Sequence, residues 1–322
     1  MKIVAIIGAG QLGSRHLQGL SLMKKAIAIY VVDKAEQALS VAKERFEQVS
    51  LDFKGRVTYC KGISEIPVEI NLAIIATNSN IRFDIILELL EHAKVDNLLL
   101  EKFLFPAPNQ YSYATELFEE NKVKVWVNCP RRVWNFYREL QRTLTEPIHI
   151  SVTGSQWGMA SNSIHFLDLF SYLNGSGEIC LSSERLDPSL FESKRKGFME
   201  ISGCVHFKHM NGSVLELNCL ADGDQPSVIT INSATGNAVI HELAGEPSYA
   251  FVSRNADQVQ KVFFDVPFQS RLTNMIAEDI INGRDCGLIS YQESAELHLL
   301  FLKMLASFYK RIGNAQETYF IT

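Results

Sequence analysis

Three things are scarce in this 322-residue chain: excess charge of one sign, long apolar runs and paired cysteines. Lys and Arg number 31 against 36 Asp and Glu, a formal net charge of -5. Neutralising phosphates needs a basic face that this balance does not suggest, so nucleic acid is not an expected partner. No uninterrupted apolar segment reaches the roughly 20 residues of a bilayer-spanning helix, so no membrane association is expected. The six cysteines (Cys60, Cys129, Cys180, Cys204, Cys219, Cys286) contain no CxxC pair, which argues against a zinc ribbon or a thioredoxin-type site. Reduced thiols in a cytoplasmic protein are the expectation. A GxSxG nucleophile elbow is also missing. His206 and His209 lie three apart in a strand and so face opposite ways, and no metal site is expected. No internal repeat, low-complexity tract or disordered linker appears.

What is present is ordinary soluble-protein material, with 47% hydrophobic and 21% charged residues. The length exceeds what one hydrophobic core usually serves, so two domains and a cleft are expected. The opening "MKIVAIIGAG" has one lysine and a short apolar run broken by glycines, and reads as a first strand rather than a secretion signal.

Residues 1–128 alternate apolar runs with helical patterns, the rhythm of a parallel sheet covered on both faces. Strands are predicted at 2–7, 26–32, 56–60, 71–77, 96–101 and 122–128, with amphipathic helices at 11–23, 34–49, 80–93 and 108–121. After Asn128 the pattern becomes one helix, "NSIHFLDLFSYL", then alternating runs at 199–209, 213–221, 227–234, 237–244 and 249–254, an antiparallel meander. Helices over 269–282 and 291–312 close the chain. The expected fold is α/β: a doubly wound Rossmann sheet over 1–128 that binds NAD(P), then a substrate-binding and oligomerisation domain over 129–322.

"GAGQLG" places Gly8, Gly10 and Gly13 in GxGxxG spacing between an apolar strand and a helix, with Gln11 and Leu12 inside the motif. The first glycine permits the tight turn, the second lets backbone approach a pyrophosphate, and the third allows close helix packing. The phosphates would sit on the helix N-terminus, where N–H groups point outward. Asp33, 20 residues beyond Gly13, closes the second strand where a carboxylate can accept from both ribose hydroxyls. It would repel a 2′-phosphate, which favours NAD, although Lys34 beside it leaves NADP possible.

The run "NLLLEKFLFP" carries one acid and one base, Glu101 and Lys102, in an otherwise apolar strand. The C-terminal edge of such a strand lies at the ligand crevice of a doubly wound sheet, so the pair is expected at the cofactor and substrate. Successive side chains on a strand alternate faces, so the two need not partner each other. Trp134, Phe136 and Tyr137 read as packing residues rather than a base-stacking platform.

Five segments, "GAGQLGSRH", "IIATNSNIRF", "LLLEKF", "VNCPRRVWNFYREL" and "GMASNSIHFLDLFSYLNG", follow one another in an order and spacing that resembles the Gfo/Idh/MocA oxidoreductases, the glucose-fructose oxidoreductase and inositol dehydrogenase family. The likeness spans essentially the whole chain. It implies an N-terminal Rossmann domain and a C-terminal domain with a large open, mainly antiparallel sheet. It also implies that Glu101 and Lys102 stand at a Glu-Lys-Pro signature whose lysine contacts the reacting hydroxyl and the nicotinamide. By the same resemblance Thr77 and Asn78 border the cofactor, and Arg132, with Arg131 beside it, belongs to an arginine segment. His165 and Asp168 match an HxxD helix, with Ser161 and Asn162 one turn earlier on nearly the same face. A histidine there can take a hydroxyl proton near neutral pH.

The sequence departs from that pattern at Phe103, which replaces the signature proline, at Asn78, and at Ser161, where sugar-oxidising relatives often carry aspartate. A serine cannot act as a carboxylate base. The leading expectation is an NAD(P)-dependent oxidoreductase of a sugar, sugar nucleotide or polyol, with Lys102 and His165 catalytic and Arg132, Ser161, Asn162 and Asp168 binding substrate. One alternative is net non-redox elimination or hydrolysis with tightly held NAD; another is a nucleotide-binding sensor without turnover. A broad sheet face is a liability alone, so a homodimer or homotetramer is expected.

Overall fold

The computed structural model describes residues 1–243, 246–254, 258–314 and 316–321. Ala244, the last residue of the strand predicted at 237–244, lies outside the described residues. The chain divides into two compact units, one formed by Met1–Phe105, Asn109–Asn128 and Pro267–Glu293, the other by Pro106–Pro108, Cys129–Val266 and Ser294–Thr322.

The first unit contains parallel strands β1 (Lys2–Ile7), β2 (Ile27–Val32), β3 (Arg56–Cys60), β4 (Leu72–Ile75), β5 (Asn97–Leu100) and β6 (Lys124–Val127). Helices α1 (Gln11–Leu20), α2 (Glu36–Glu47), α3 (Ser79–His92) and α4 (Asn109–Glu120) alternate with them. Val4, Ala5, Ile6, Leu72 to Ile75 and Leu98 to Leu100 are essentially fully buried, as expected for parallel strands covered on both faces. The predicted strands at 71–77, 96–101 and 122–128 stop at Ile75, Leu100 and Val127. Glu101 and Asn128 each make one last backbone bond, to Ile75 and Leu100, and then leave the ladder. Polar side chains there interrupt the apolar burial that sustains the strand.

In the second unit lie α5 (Asn135–Gln141), β7 (His149–Ser155), α6 (Met159–Asn174), β8 (Ile179–Leu186), β9 (Gly203–His209), β10 (Val214–Leu220), β11 (Val228–Asn232), β12 (Gly236–His241), β13 (Ser248–Arg254) and β14 (Gln258–Phe264). Their sheet runs β8-β9-β10-β7-β11-β12-β13-β14 and is antiparallel except for the β10–β7 pair. Strands β7, β8 and β14 are absent from the predicted meander. β7 alternates serine and threonine with Ile150 and Val152, so its polar face masks the apolar one, and β14 is exposed along nearly its whole length. α6 starts about one turn earlier than predicted, which brings Ser161 inside the helix with Asn162.

α7 (Gln269–Ile281) and β15 (Ile289–Ser290) belong to the first unit, and β15 extends its sheet to the order β15-β6-β5-β4-β1-β2-β3. α7 lies close on α1 because Gly19 has no side chain; a Cβ there would stand 2.7 Å from Cβ of Thr273. α8 (Tyr291–Arg311) starts in the first unit and supplies helix to the second from Ser294 onward.

Candidate active site

Each glycine of the turn meets a different constraint. Gly8 has φ +99°, a left-handed conformation that side chains resist, and a Cβ would lie 3.0 Å from the Ala76 carbonyl carbon and the Thr77 nitrogen. At Gly13 a Cβ would fall 1.8 Å from the Gly8 carbonyl oxygen, so this residue sets how closely α1 packs on its own turn. At Gly10 nothing lies within 4 Å of the added atom. That open space is what a pyrophosphate cradle requires. Gly10 is also the N-cap of α1 without a side-chain cap bond, so the N–H groups opening the helix, at exposed Gln11 and half-buried Leu12, keep their donor capacity.

Asp33 closes the same site from β2. Its Oδ2 accepts from the Ala9 N–H at 2.8 Å and its Oδ1 from the Ala35 N–H at 2.8 Å. Both oxygens are thus oriented by backbone donors, and each keeps further lone pairs for ribose hydroxyls. A cavity of about 320 Å³ opens beside it, lined by Gly8, Val32, Asp33, Ile63, Thr77 and Ile81 among others. The apolar walls suit a flat base, and Asp33 at the end of β2 suits a sugar hydroxyl. The Thr77 hydroxyl oxygen is buried without a hydrogen-bond partner among the described residues, as expected where a ligand completes the shell. The residues present therefore fit a dinucleotide. Lys34 and Lys61 border the cavity and are exposed.

Beyond the strand ends, Asn78 is exposed at the N-cap of α3 and makes no side-chain cap bond. Glu101 is 4% exposed and its carboxylate accepts from His16 Nε2 at 2.8 Å and Asn128 Nδ2 at 2.6 Å. Those two bonds turn its Oε1 into the protein. Lys102 follows it, half-buried, and Phe103 beyond is fully buried. The Lys102–Phe103 peptide is cis although residue 103 is not proline.

In the second unit, α6 carries Ser161, Asn162 and His165 as half-buried residues. The Ser161 hydroxyl donates to the Gly158 carbonyl at 3.2 Å and Asn162 Nδ2 to the Trp157 carbonyl at 2.8 Å. Asp168 is 1% exposed and held by Arg132, whose Nε and Nη2 reach its two oxygens at 3.0 and 2.7 Å. The guanidinium also lies 5.3 Å from the Tyr172 ring centre. Arg131 makes a parallel pair with Glu242, joined there by the Tyr137 hydroxyl at 2.6 Å. Burial, reinforced by the Glu242 charge, pushes that phenol well above its ordinary range.

Three polar residues at these sites escaped the sequence reading. His16 looks like a surface position of an amphipathic helix, yet it is fully buried. Arg82 sits in α3 at 1% exposure with its guanidinium on loop carbonyls. Glu200 caps α6, accepting from the Ala160 N–H at 2.8 Å from 40 residues away. His16, three residues after Gly13, and Arg82, in "IIATNSNIRF", both lie within segments singled out in the sequence, whereas Glu200 does not.

Fold and cradle define an NAD-binding Rossmann domain joined to a mainly antiparallel sheet domain. Residues 2–129 match the Gfo/Idh/MocA model, an oxidoreductase family with an NAD-binding Rossmann fold. Among curated proteins no sequence matches the chain. Solved structures of the same fold include an oxidoreductase from Agrobacterium radiobacter in complex with NAD+, L-tartaric acid and magnesium, at 15% identity over 97% of this chain and 96% of that one, TM-score 0.68. UDP-N-acetylglucosamine 3-dehydrogenase GnnA from Acidithiobacillus ferrooxidans is 14% identical over 97% of each chain, TM-score 0.68. KijD10, a 3-ketoreductase from Actinomadura kijaniata in complex with TDP-benzene and NADP, is 12% identical over 99% of this chain and 98% of that one, TM-score 0.66. At these identities the likeness is one of fold.

Proposed function

We propose that the protein moves hydride between nicotinamide and a hydroxyl-bearing carbon of a sugar, sugar nucleotide or polyol, with the first, Rossmann unit holding the cofactor and the second unit holding the substrate. The observation that carries this reading is the open cradle at Gly10 together with Lys102 at the C-terminal edge of the same sheet. When bound, the nicotinamide supplies the hydride acceptor or donor. Lys102 orients the substrate oxygen and steadies the negative charge that grows on it as hydride leaves or arrives. His165 holds the hydroxyl proton, because an imidazole can change protonation near neutral pH. Ser161, Asn162 and the Arg132–Asp168 pair give α6 its polar, substrate-holding character. One solved structure of this fold is named for a nucleotide sugar, UDP-N-acetylglucosamine, and another holds a nucleoside diphosphate derivative, TDP-benzene, which supports that substrate class.

The experiment is titration with NADH and NADPH, then a panel of sugars, sugar acids and nucleotide sugars read by nicotinamide absorbance. With a substrate in hand, Lys102→Ala is expected to lower turnover by about 10²–10³-fold, the scale of removing one charge-stabilising donor. Undiminished turnover in that variant would remove Lys102 from the reaction.

The second unit's sheet also exposes Phe251 (40%), Phe263 (63%) and Val259 (69%), an apolar patch suited to a second copy. Homo-oligomerisation is read by light scattering at micromolar concentration, and a monomeric mass would reject it.

A further inference from the structure

Lys102 lies between two buried polar clamps, and neither is needed to complete a helix or a strand. On one side Arg82, 1% exposed, reaches out of α3. Its Nη1 donates to the carbonyls of Phe103 and Leu104, the latter at 3.0 Å, and its Nη2 to the carbonyl of Thr77. Those three carbonyls lie past the ends of β4 and β5, at Ile75 and Leu100, so no ladder fixes them. One planar guanidinium thereby joins the loop that borders the cofactor cavity to the loop that carries Lys102. A lysine could not span both loops, because its donors radiate from one atom.

On the other side Glu101 is fixed by a chain of bonds that crosses four elements of the first unit. Oε1 accepts from His16 Nε2 on α1 and from Asn128 Nδ2 just past β6. His16 Nδ1 meets Thr273 Oγ1 on α7 at 3.0 Å. The Thr273 hydroxyl also lies 2.9 Å from the Gln269 carbonyl and accepts from Gln269 Nε2 at 3.0 Å. Asn128 uses its second amide hydrogen on Gln269 Oε1 at 2.9 Å, which fixes the amide's orientation. α1 is the helix that opens at the phosphate cradle. The bond from His16 to Glu101 therefore ties the residue before Lys102 to the cofactor helix.

Buried ionic groups are weak stabilisers next to apolar side chains of the same volume, so stability alone does not account for two such clusters converging on one peptide. We propose that Arg82 and the His16–Glu101 pair are positioning residues that fix the direction of Lys102 relative to the glycine turn. This rests on the reading that Lys102 acts on the substrate oxygen, but it can be tested without a substrate.

Lysines are dimethylated with 13C-labelled formaldehyde, and the Lys102 methyl signal is assigned by its loss in Lys102→Arg. It is then followed by NMR with and without NADH in Arg82→Lys, His16→Asn and the milder Thr273→Val, each checked for folding by circular dichroism. The expected result is a dispersed Lys102 signal in the parent that moves toward the bulk lysine signals in the variants, while NADH affinity stays within about threefold. A Lys102 signal at the parent position in any two folded variants overturns the proposal. A parent signal indifferent to NADH, with the variant shifts intact, instead removes Lys102 from the cofactor site and leaves the clamps standing.

Discussion

Arg132 and Asp168, 36 residues apart, form a two-point pair in which Nε and Nη2 each hold one carboxylate oxygen, at 3.0 and 2.7 Å. The Asp168 side chain is 1% exposed and that of Arg132 12%, so water does little to share the charge. Removing one partner of such a pair leaves the other buried and unmatched. Asp168→Asn is expected to lower unfolding stability by about 3–5 kcal/mol, read by urea denaturation. A loss under about 1 kcal/mol would show that α6 does not depend on the pair.

The glycine turn separates folding from binding. Gly13→Ala drives a methyl against the Gly8 carbonyl and should destabilise the first unit by roughly 1–3 kcal/mol, the scale of overpacking. Gly10→Ala meets no protein atom within 4 Å and should leave the melting temperature nearly unchanged. Its methyl enters the cradle, so NADH affinity should fall about tenfold or more, equivalent to roughly 1.4 kcal/mol. Equal melting temperatures for the two variants would contradict this division.

Asp33 does two jobs at once, since the carboxylate that faces the ribose also accepts from the Ala9 N–H of the glycine turn. Asp33→Ala therefore frees that donor as well as removing the repulsion of a 2′-phosphate. NADH affinity is expected to fall about tenfold or more, and NADPH affinity is expected not to rise. A variant that bound NADPH better than the parent would show that Asp33 acts on the ribose alone.

Acid should weaken one surface tie in the second unit. The Arg311 guanidinium, hydrogen-bonded to Glu184, holds that carboxyl below the usual carboxylate range, with help from the Leu186 N–H. Because the folded value is depressed, the stabilisation is present above the unfolded carboxylate value and is lost as pH falls through the folded one. Arg311 is half exposed, so the pair contributes under about 1 kcal/mol. Arg311→Gln should be the less stable protein near pH 7, and the difference should shrink as pH falls through the depressed value of the folded Glu184 carboxyl. A stability gap of unchanged size across that range would reject the pair as its origin.

Much of the first unit is written locally. GxGxxG spacing dictates a turn and a helix start because backbone geometry at three glycines is a short-range matter, and Gly8, Gly10 and Gly13 behave accordingly. The apolar runs specify parallel strands because burial on both faces demands them. Even the charge pair in "NLLLEKFLFP" marks where β5 must end.

Partner choice was not legible in this way. Glu101 turns to His16, 85 residues away, and Arg82 reaches three carbonyls in two loops. α7 joins the first unit from residue 269 because Gly19 lets it approach α1. A carboxylate or guanidinium left without partners is expensive to bury, so each requires them, but a sequence pattern records only the requirement. Which distant donor or carbonyl meets it is decided when helices and strand ends far apart in the chain are packed together.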